Sequence, residues 1–374
     1  MKDFFKKNHA VIIIIFFAAV LFSLSLLDVV TPDRTYSDTE NRQLSSAPKL
    51  TFKSLVNGKY SSDYEEYIND QFILRDFWID VKSYTESLLG KTENNGIVYG
   101  KDGFMFEKYY SVSDRRIKNN LNFINQFTAE YAVDTTVVIV PNSYMILADK
   151  LPKGLENADQ QPYIDEIYSS LDSAKGLDVA PVLSEHSDEY IYYRTDHHYT
   201  TYGAYLVYCE YMESIGEEPA SLETFTANEA ADFYGTHFSK TKYHAAQPDV
   251  ITYYDIPGKE VTVNNQPVDG IYDTEKFSQR DKYAAFLHGN NSLTVICSAE
   301  EKQDPTRLLL IKDSFGNEIA PFLSASFDEV YIVDPRYTEI PVSSVMEEVE
   351  FDRVLILYNF MNFAQDTNVI NITN

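Results

Sequence analysis

The first pattern along the chain is one long apolar run. From Ala10 to Leu27 the sequence AVIIIIFFAAVLFSLSLL carries 18 residues without a charge. At about 1.5 Å per residue a helix of this length spans roughly 27 Å, nearly the hydrocarbon thickness of a bilayer. Lys2, Lys6 and Lys7 precede it with a single acid, Asp3, and the chain beyond it turns acidic. The positive-inside rule therefore predicts a cytoplasmic tip and transmembrane anchor over residues 1–30, with residues 31–374 outside the cytoplasm. A cleaved leader ending near Ser23 and Ser25 is the alternative; the run is longer than the usual leader core, and either reading exports the rest.

Beyond the run, residues 31–60 combine Pro32, Pro48 and many Ser and Thr with few apolar positions, the pattern of an extracellular tether. Tyr64, Tyr67, Ile68, Phe72, Leu74, Phe77 and Ile79 then recur at helical spacing, so residues 60–89 predict one or two amphipathic helices, with Ser61 or Ser62 able to cap the start. GIVYGKDGFMFEKYY (96–110) predicts a β-hairpin turning at 101–103, followed by a helix over 115–131. Four short apolar runs stand out after that: TTVVIV (135–140), RLLLIK (307–312), EVYIVD (329–334) and RVLILY (353–358). Runs this continuous fit central strands covered on both faces. Between the last three lie GNEIAPFLSASF (316–327) and PVSSVMEEVEF (341–351), each long enough for a crossover helix. The order β-α-β-α-β predicts an α/β domain over 61–374 with a doubly wound, mostly parallel sheet. Residues 233–300 change character to short β-like pieces with turns at Asn264-Asn265 and Gly289-Asn290-Asn291, a hairpin-rich insertion that either lines a cleft or covers a sheet edge.

Composition narrows the function. The 374 residues include 31 Lys and Arg against 57 Asp and Glu, a net charge of −26. Every phosphate contact would work against that field, so nucleic acid is a poor partner. Apolar residues make up 44 %, with 29 Tyr and 23 Phe, enough for a sizeable core. Only Cys209 and Cys297 are present, too few for a thiolate metal site; whether they bridge is open.

Ligands of doubly wound sheets bind beyond the carboxyl ends of the strands, so the residues just after each run are the candidates. RLLLIK is followed by Asp313-Ser314-Phe315-Gly316. A Ser at a strand-to-helix junction exposes its hydroxyl beside free helix N–H groups that can hold an oxyanion; it could equally be an N-cap. IYYRTDHHYTTYGAY (191–205) gathers Asp196, His197 and His198 ahead of a helix. Asp196 and His198 are two apart, so in an extended stretch they leave the same face, and a carboxylate can fix an imidazole's tautomer. A Ser nucleophile needs that pair. The competing readings are a helix cap by Asp196 with surface histidines, or a metal site using both histidines with Asp196 or Glu185, which has no i,i+4 ligand pair. RVLILY ends at Asn359, with Asn362 close behind, and an Asn amide there can donate to an oxyanion. EVYIVD ends at Asp334-Pro335-Arg336, where an ionised carboxylate cannot donate and Arg336 or a backbone N–H would have to serve.

Taken together, KDSFG (312–316) resembles the Gly-Asp-Ser block of SGNH (GDSL-type) hydrolases, with Lys312 where that family has Gly. EVYIVD and RVLILYNF resemble that family's second and third strands. The Asp-His pair, which ends the standard order, here precedes the Ser, a circular permutation shown by the DHHW and alginate O-acetyltransferase-like families of bacterial surface proteins. RTDHHYTTYGAY resembles the DHHW signature with Tyr199 for Trp, and SDTENRQLSSAPKL, INDQFILRDFW and VYGKDGFMFE resemble the leader of these families. The resemblance implies an SGNH-hydrolase-like, flavodoxin-like fold. It implies Ser314 as nucleophile, His198 as general base then acid, Asp196 as its orienter, and the Ser314 N–H and Asn359 as oxyanion donors, with His197 structural. It further implies a membrane-anchored O-acetyltransferase or acetylesterase acting on cell-surface polysaccharide. No cofactor or metal is called for, since a membrane-bound O-acyltransferase partner would supply the acyl group. A catalytically silent scaffold of a polysaccharide export complex is the alternative.

Overall fold

The computed structural model describes residues 2–37, 40–155, 157–300, 302–337 and 339–373. They form two compact units, one running to Lys91 and including 242–244, the other comprising 92–241 and 245–374.

In the first unit, helix α1 (Lys2–Val30) contains the uncharged run, and its Asn8–Val30 stretch is long and apolar enough to cross a membrane. Helices α2 (Lys59–Gln71) and α3 (Arg75–Leu88) follow, parted at Phe72–Leu74, where Leu74 takes a left-handed φ of 57°. Arg34, Arg42 and Ser45, within the segment read as a tether, bond to α2. Buried Asp70 on α2 accepts the Ser45 N–H at 2.9 Å and pairs with Arg42, and the Gln71 side chain exchanges two 2.9 Å bonds with the Arg34 backbone. Polar side chains on α2 thus fasten a segment that has little apolar surface of its own to bury.

The second unit is built on one eight-stranded sheet. Its strands are β1 (Asp134–Val140), β2 (Lys175–Leu177), β3 (Lys259–Val263), β4 (Gln266–Val268), β5 (Leu293–Ser298), β6 (Arg307–Lys312), β7 (Glu329–Val333) and β8 (Arg353–Asn359). The order is β4-β3-β5-β7-β6-β8-β1-β2, parallel from β7 to β2 and antiparallel across β4, β3, β5 and β7. All four apolar runs are central strands. Their residues alternate between two cores: Val138, Leu308, Leu310 and Leu355 lie in one, Val137, Leu309, Ile311 and Ile356 in the other. Burial on both faces is why the runs are continuous rather than alternating.

Helix α4 (Asp114–Glu130), capped by Ser113, packs Ile117 and Ile124 into the second core. Helix α5 (Thr201–Ser214) and helix α6 (Gly316–Ser326), the crossover from β6 to β7, pack into the first. Helix α7 (Val342–Glu348), the crossover from β7 to β8, returns to the second core, where α8 (Phe360–Gln365) also lies. The doubly wound α/β layout is therefore present.

The hairpin-rich insertion borders the main sheet. Its β3 and β5 extend the main sheet from the β7 edge, while Thr226–Phe233 and Asp249–Asp255 form a separate hairpin. Neither cysteine is bridged.

Candidate active site

Register brings the site together. β6 and β8 pair Lys312 with Leu357, and β8 and β1 pair Asn359 with Val140, so the carboxyl ends of these strands share one rim. After β6 the chain turns sharply at Asp313, whose carboxylate accepts the N–H of Phe315 and of Asn359, both at 2.9 Å, and the Asn362 side-chain amide at 2.7 Å. Ser314 sits in that turn two residues before α6, and among the described residues no acceptor takes its N–H.

The other half of the site comes from residues 191–200. They do not run extended. Tyr192 and Tyr199 bridge, and the chain between them bends so that Asp196 Oδ1 accepts both the His198 N–H at 3.0 Å and His198 Nδ1 at 2.6 Å. This is the local competition an Asp oxygen offers to regular backbone pairing. His198 Nε2 then lies 2.8 Å from Ser314 Oγ. The three residues are 2 % (Asp196), 4 % (His198) and 8 % (Ser314) exposed, so water competes weakly for these bonds.

Several groups hold this line in place. Asp196 Oδ2 accepts the Thr236 N–H at 2.6 Å, and Gly235 passes so close to Asp196 that no side chain fits there. Buried Asp249 accepts the Arg194 and Thr195 N–H groups at 2.9 and 2.8 Å and the Thr195 hydroxyl at 2.6 Å, tying the bend to the insertion hairpin. Tyr283, also from the insertion, lies flat on the His198 ring (3.9 Å, 11°) and donates its hydroxyl to the Ser314 carbonyl at 2.8 Å. Glu318, fully buried on α6, accepts from Tyr193 at 2.7 Å and Thr201 at 3.2 Å; burial drives its carboxyl well above the usual range, opposed by these bonds. Tyr283, Gly235, Thr236 and Glu318 were not singled out in the sequence. Nothing distinguishes Tyr283 among 29 tyrosines, and the others act through contacts many residues away.

His197 is tilted against His198 (3.8 Å between rings), and its Nδ1 meets Thr236 Oγ1 at 2.8 Å. Arg336 grips Asp334 through Nε at 2.8 Å and Nη2 at 2.6 Å, and lines a cavity of about 270 Å³ with Asp313, Asn362, Gln365, Asp366 and Thr367. Lys312, in the place of the resembled family's Gly, is fully buried; Asn317 Oδ1 at 2.7 Å and Asp334 Oδ2 at 3.1 Å satisfy its ammonium, although burial still lowers its pKa. The Asn359 side chain also ties the rim together: its Nδ2 donates one of two N–H groups to the Val140 carbonyl at 3.2 Å, while its Oδ1 accepts Asn142 Nδ2 at 3.1 Å and caps α8. The side chain read as an oxyanion donor thus stitches β8 to β1 as well.

Charge is set by burial and neighbours. Burial, aided by the neighbouring His197 and opposed by Asp196, lowers the His198 pKa to about 3. The Asp196 carboxyl lies well below the usual carboxylate range: burial alone would raise it, but His197 and His198 and the bonds from His198 and Thr236 outweigh that. At neutral pH the pair is carboxylate and neutral imidazole, with Nε2 an available base. A lowered imidazole pKa extends the neutral form downward, so the acid limb of any ester cleavage that uses this imidazole as base is expected at about pH 3 instead of near the ordinary 6.5. A pH profile over this range, with folding followed in parallel, checks it; a limb near 6.5 contradicts the burial argument.

The ligand atoms of Asp196, His197 and His198 lie within 4.8 Å of one another. An ion held through either ring nitrogen of His198 would compete with one of its two bonds, Nδ1 to Asp196 or Nε2 to Ser314.

Comparison with known proteins bears on the fold and the family. A DHHW family protein from Eubacterium siraeum has a TM-score of 0.64 and 25 % identity, covering 75 % of this chain and 96 % of that one. Bacillus cereus PatB1, at 21 % identity and a TM-score of 0.61, covers 74 % and 97 %, and shares the fold. No curated protein matches the sequence. The family described as DHHW protein matches residues 85–333, a span that takes in both the Asp196–His198 bend and the Ser314 turn, and the chain belongs to that family.

Proposed function

We propose that the chain is a serine-dependent O-acyltransferase or esterase of the SGNH type, acting on cell-surface polysaccharide. The observation that carries this reading is the continuous line from Asp196 to His198 to Ser314, with contacts of 2.6 and 2.8 Å. In this mechanism His198 Nε2 takes the Ser314 hydroxyl proton as Oγ attacks the acyl carbonyl, and ionised Asp196 stabilises the imidazolium that forms. The Ser314 N–H, ahead of α6, donates to the oxyanion. His198 then returns the proton to the departing alcohol, leaving an acyl ester on Ser314. A second hydroxyl, deprotonated by His198, attacks that ester and frees the serine. If that hydroxyl belongs to a sugar the outcome is transfer; if it is water, hydrolysis. Arg336, on the cavity beside Asp313, is assigned to substrate contact, and His197 to support of Asp196 and His198.

The polysaccharide substrate rests on the resemblance of the KDSFG and RTDHHYTTYGAY stretches to the alginate O-acetyltransferase-like families. We read α1 as an uncleaved single-pass anchor with the catalytic unit outside. An extracellular transferase needs its acyl group delivered across the membrane, which a membrane-bound O-acyltransferase partner would do.

PatB1 has been captured with a sulfonyl adduct, which makes a sulfonyl fluoride the natural probe. Intact-mass analysis of the full chain should show one covalent adduct in wild type and none in Ser314→Ala. Equal labelling of the two would overturn the nucleophile assignment, and absence of labelling in both would favour the silent scaffold. With a model acetyl ester, added oligosaccharide should compete with water if the reaction is transfer.

A further inference from the structure

Helix α3 is amphipathic, and it is turned inside out. At 100° per residue, Phe77, Trp78, Val81, Tyr84 and Leu88 fall within an arc of about 120°. In a water-soluble protein such an arc faces the core. Here these five side chains are between 38 % and 69 % exposed, and Leu74, just ahead of the helix, is exposed as well. The opposite face is the covered one: Ser83 is buried, and Arg75, Asp76 and Glu86 are partly so, with Asp76 held by Arg34 at 2.8 Å. Asp80 and Lys82 flank the apolar arc and are exposed.

The position of this face names its occupant. Asp28 is the first charge after the uncharged run of α1, and its Oδ1 accepts the Ile73 N–H at 3.0 Å. The start of α3 is thereby fixed beside the residue at which the apolar run ends, and the paired bonds between Gln71 and Arg34 hold the same junction. If α1 spans a bilayer, Asp28 lies at its surface, and Leu74, Phe77 and Trp78 come to the headgroup boundary. That boundary favours Trp and Tyr, whose rings have an apolar body and a polar edge, and a flanking Lys82 can extend its ammonium to water. We propose that α3 is an interfacial helix: its apolar face lies in the outer surface of the membrane that α1 crosses, so the stem is held at two places instead of swivelling on one helix. The net charge of −26 favours a zwitterionic surface over an anionic one. The proposal rests on the anchor reading of α1.

Trp78 is the sole tryptophan, so its fluorescence reports this face alone. The full chain is reconstituted into phosphatidylcholine vesicles, with or without lipid spin-labelled near the headgroup, and floated on a density gradient. The expected result is flotation, about a twofold loss of Trp78 emission with the shallow label, and weak quenching by aqueous iodide. The double variant Phe77→Ser, Val81→Ser should still float through α1 and lose the lipid quenching. A chain that floats while Trp78 answers to iodide and ignores the lipid label overturns the interfacial helix and leaves the anchor standing. So does one whose Trp78 is shielded from both quenchers, because a protein then covers the face. A chain that does not float overturns both readings.

Discussion

His198→Ala is expected to lower turnover of an acetyl ester by about a thousandfold or more, with the fold unchanged. The size follows from how much chemistry passes through one ring. Among the described residues the one acceptor bonded to Ser314 Oγ is His198 Nε2 at 2.8 Å, and an alcohol is a poor nucleophile until that proton leaves. The same nitrogen must protonate the departing alcohol and then activate the second hydroxyl, so every proton transfer of the cycle fails together. Ser314→Ala should cost a similar amount, and the double variant little more than either, because the residues act as one unit. Asp196→Asn should cost less than loss of the imidazole, since His198 keeps its place through its stacking on Tyr283, but should still reduce turnover, because the imidazolium then faces a neutral amide. Steady-state hydrolysis of a chromogenic acetate, with circular dichroism as the check on folding, measures all four. A His198→Ala protein within tenfold of wild type would remove the serine mechanism.

What the sequence revealed and what it concealed divide along a physical line. β1, β6, β7 and β8 could be read nearly residue by residue because strands buried on both faces must be apolar at every position, and turn residues end them. The rule that ligands gather past the carboxyl ends of such strands then drew attention to Ser314, Arg336 and Asn359. Beyond that the signal fades, for three reasons. The bend at Asp196 depends on a side-chain oxygen outcompeting extended backbone, which the two-residue spacing does not disclose. Asn359 has the right residue type at the right place, but whether its amide faces the cleft or turns back to Val140 is decided by the neighbouring strand. Tyr283 reaches His198 from an insertion whose short strands show that hairpins exist without showing which sheet they join. The buried pair of Lys312 and Asp334 shows the same limit: a charged residue ending a central strand reads as an anomaly until its partner, 22 residues on, is seen beside it.

Gly235→Ala should reduce kcat/KM by about a hundredfold without touching any reacting group, because displacing a catalytic support by about 1 Å has effects of that order. A Cβ at position 235 would stand 2.2 Å from Asp196 Cβ, 2.3 Å from Oδ2 and 2.6 Å from Cγ, all well inside contact distance. One side must yield. The backbone at 235 is held by its own N–H on Thr195 Oγ1 at 3.0 Å, and Thr195 is held in turn by Asp249. The softer element is the Asp196 carboxylate, which must swing away from the Thr236 N–H and draw its other oxygen off His198 Nδ1. The ring then loses its orienting partner while Ser314 and the rest of the rim stay in place. The variant should therefore still form the sulfonyl adduct, at a reduced rate, where Ser314→Ala forms none. Its KM should change less than kcat, since the crowded group lies behind His198 and outside the cavity lined by Arg336 and Asn362. Wild-type kcat/KM in a folded Gly235→Ala protein would mean that Asp196 can leave His198 at no cost, and the orienting role assigned to it would fall.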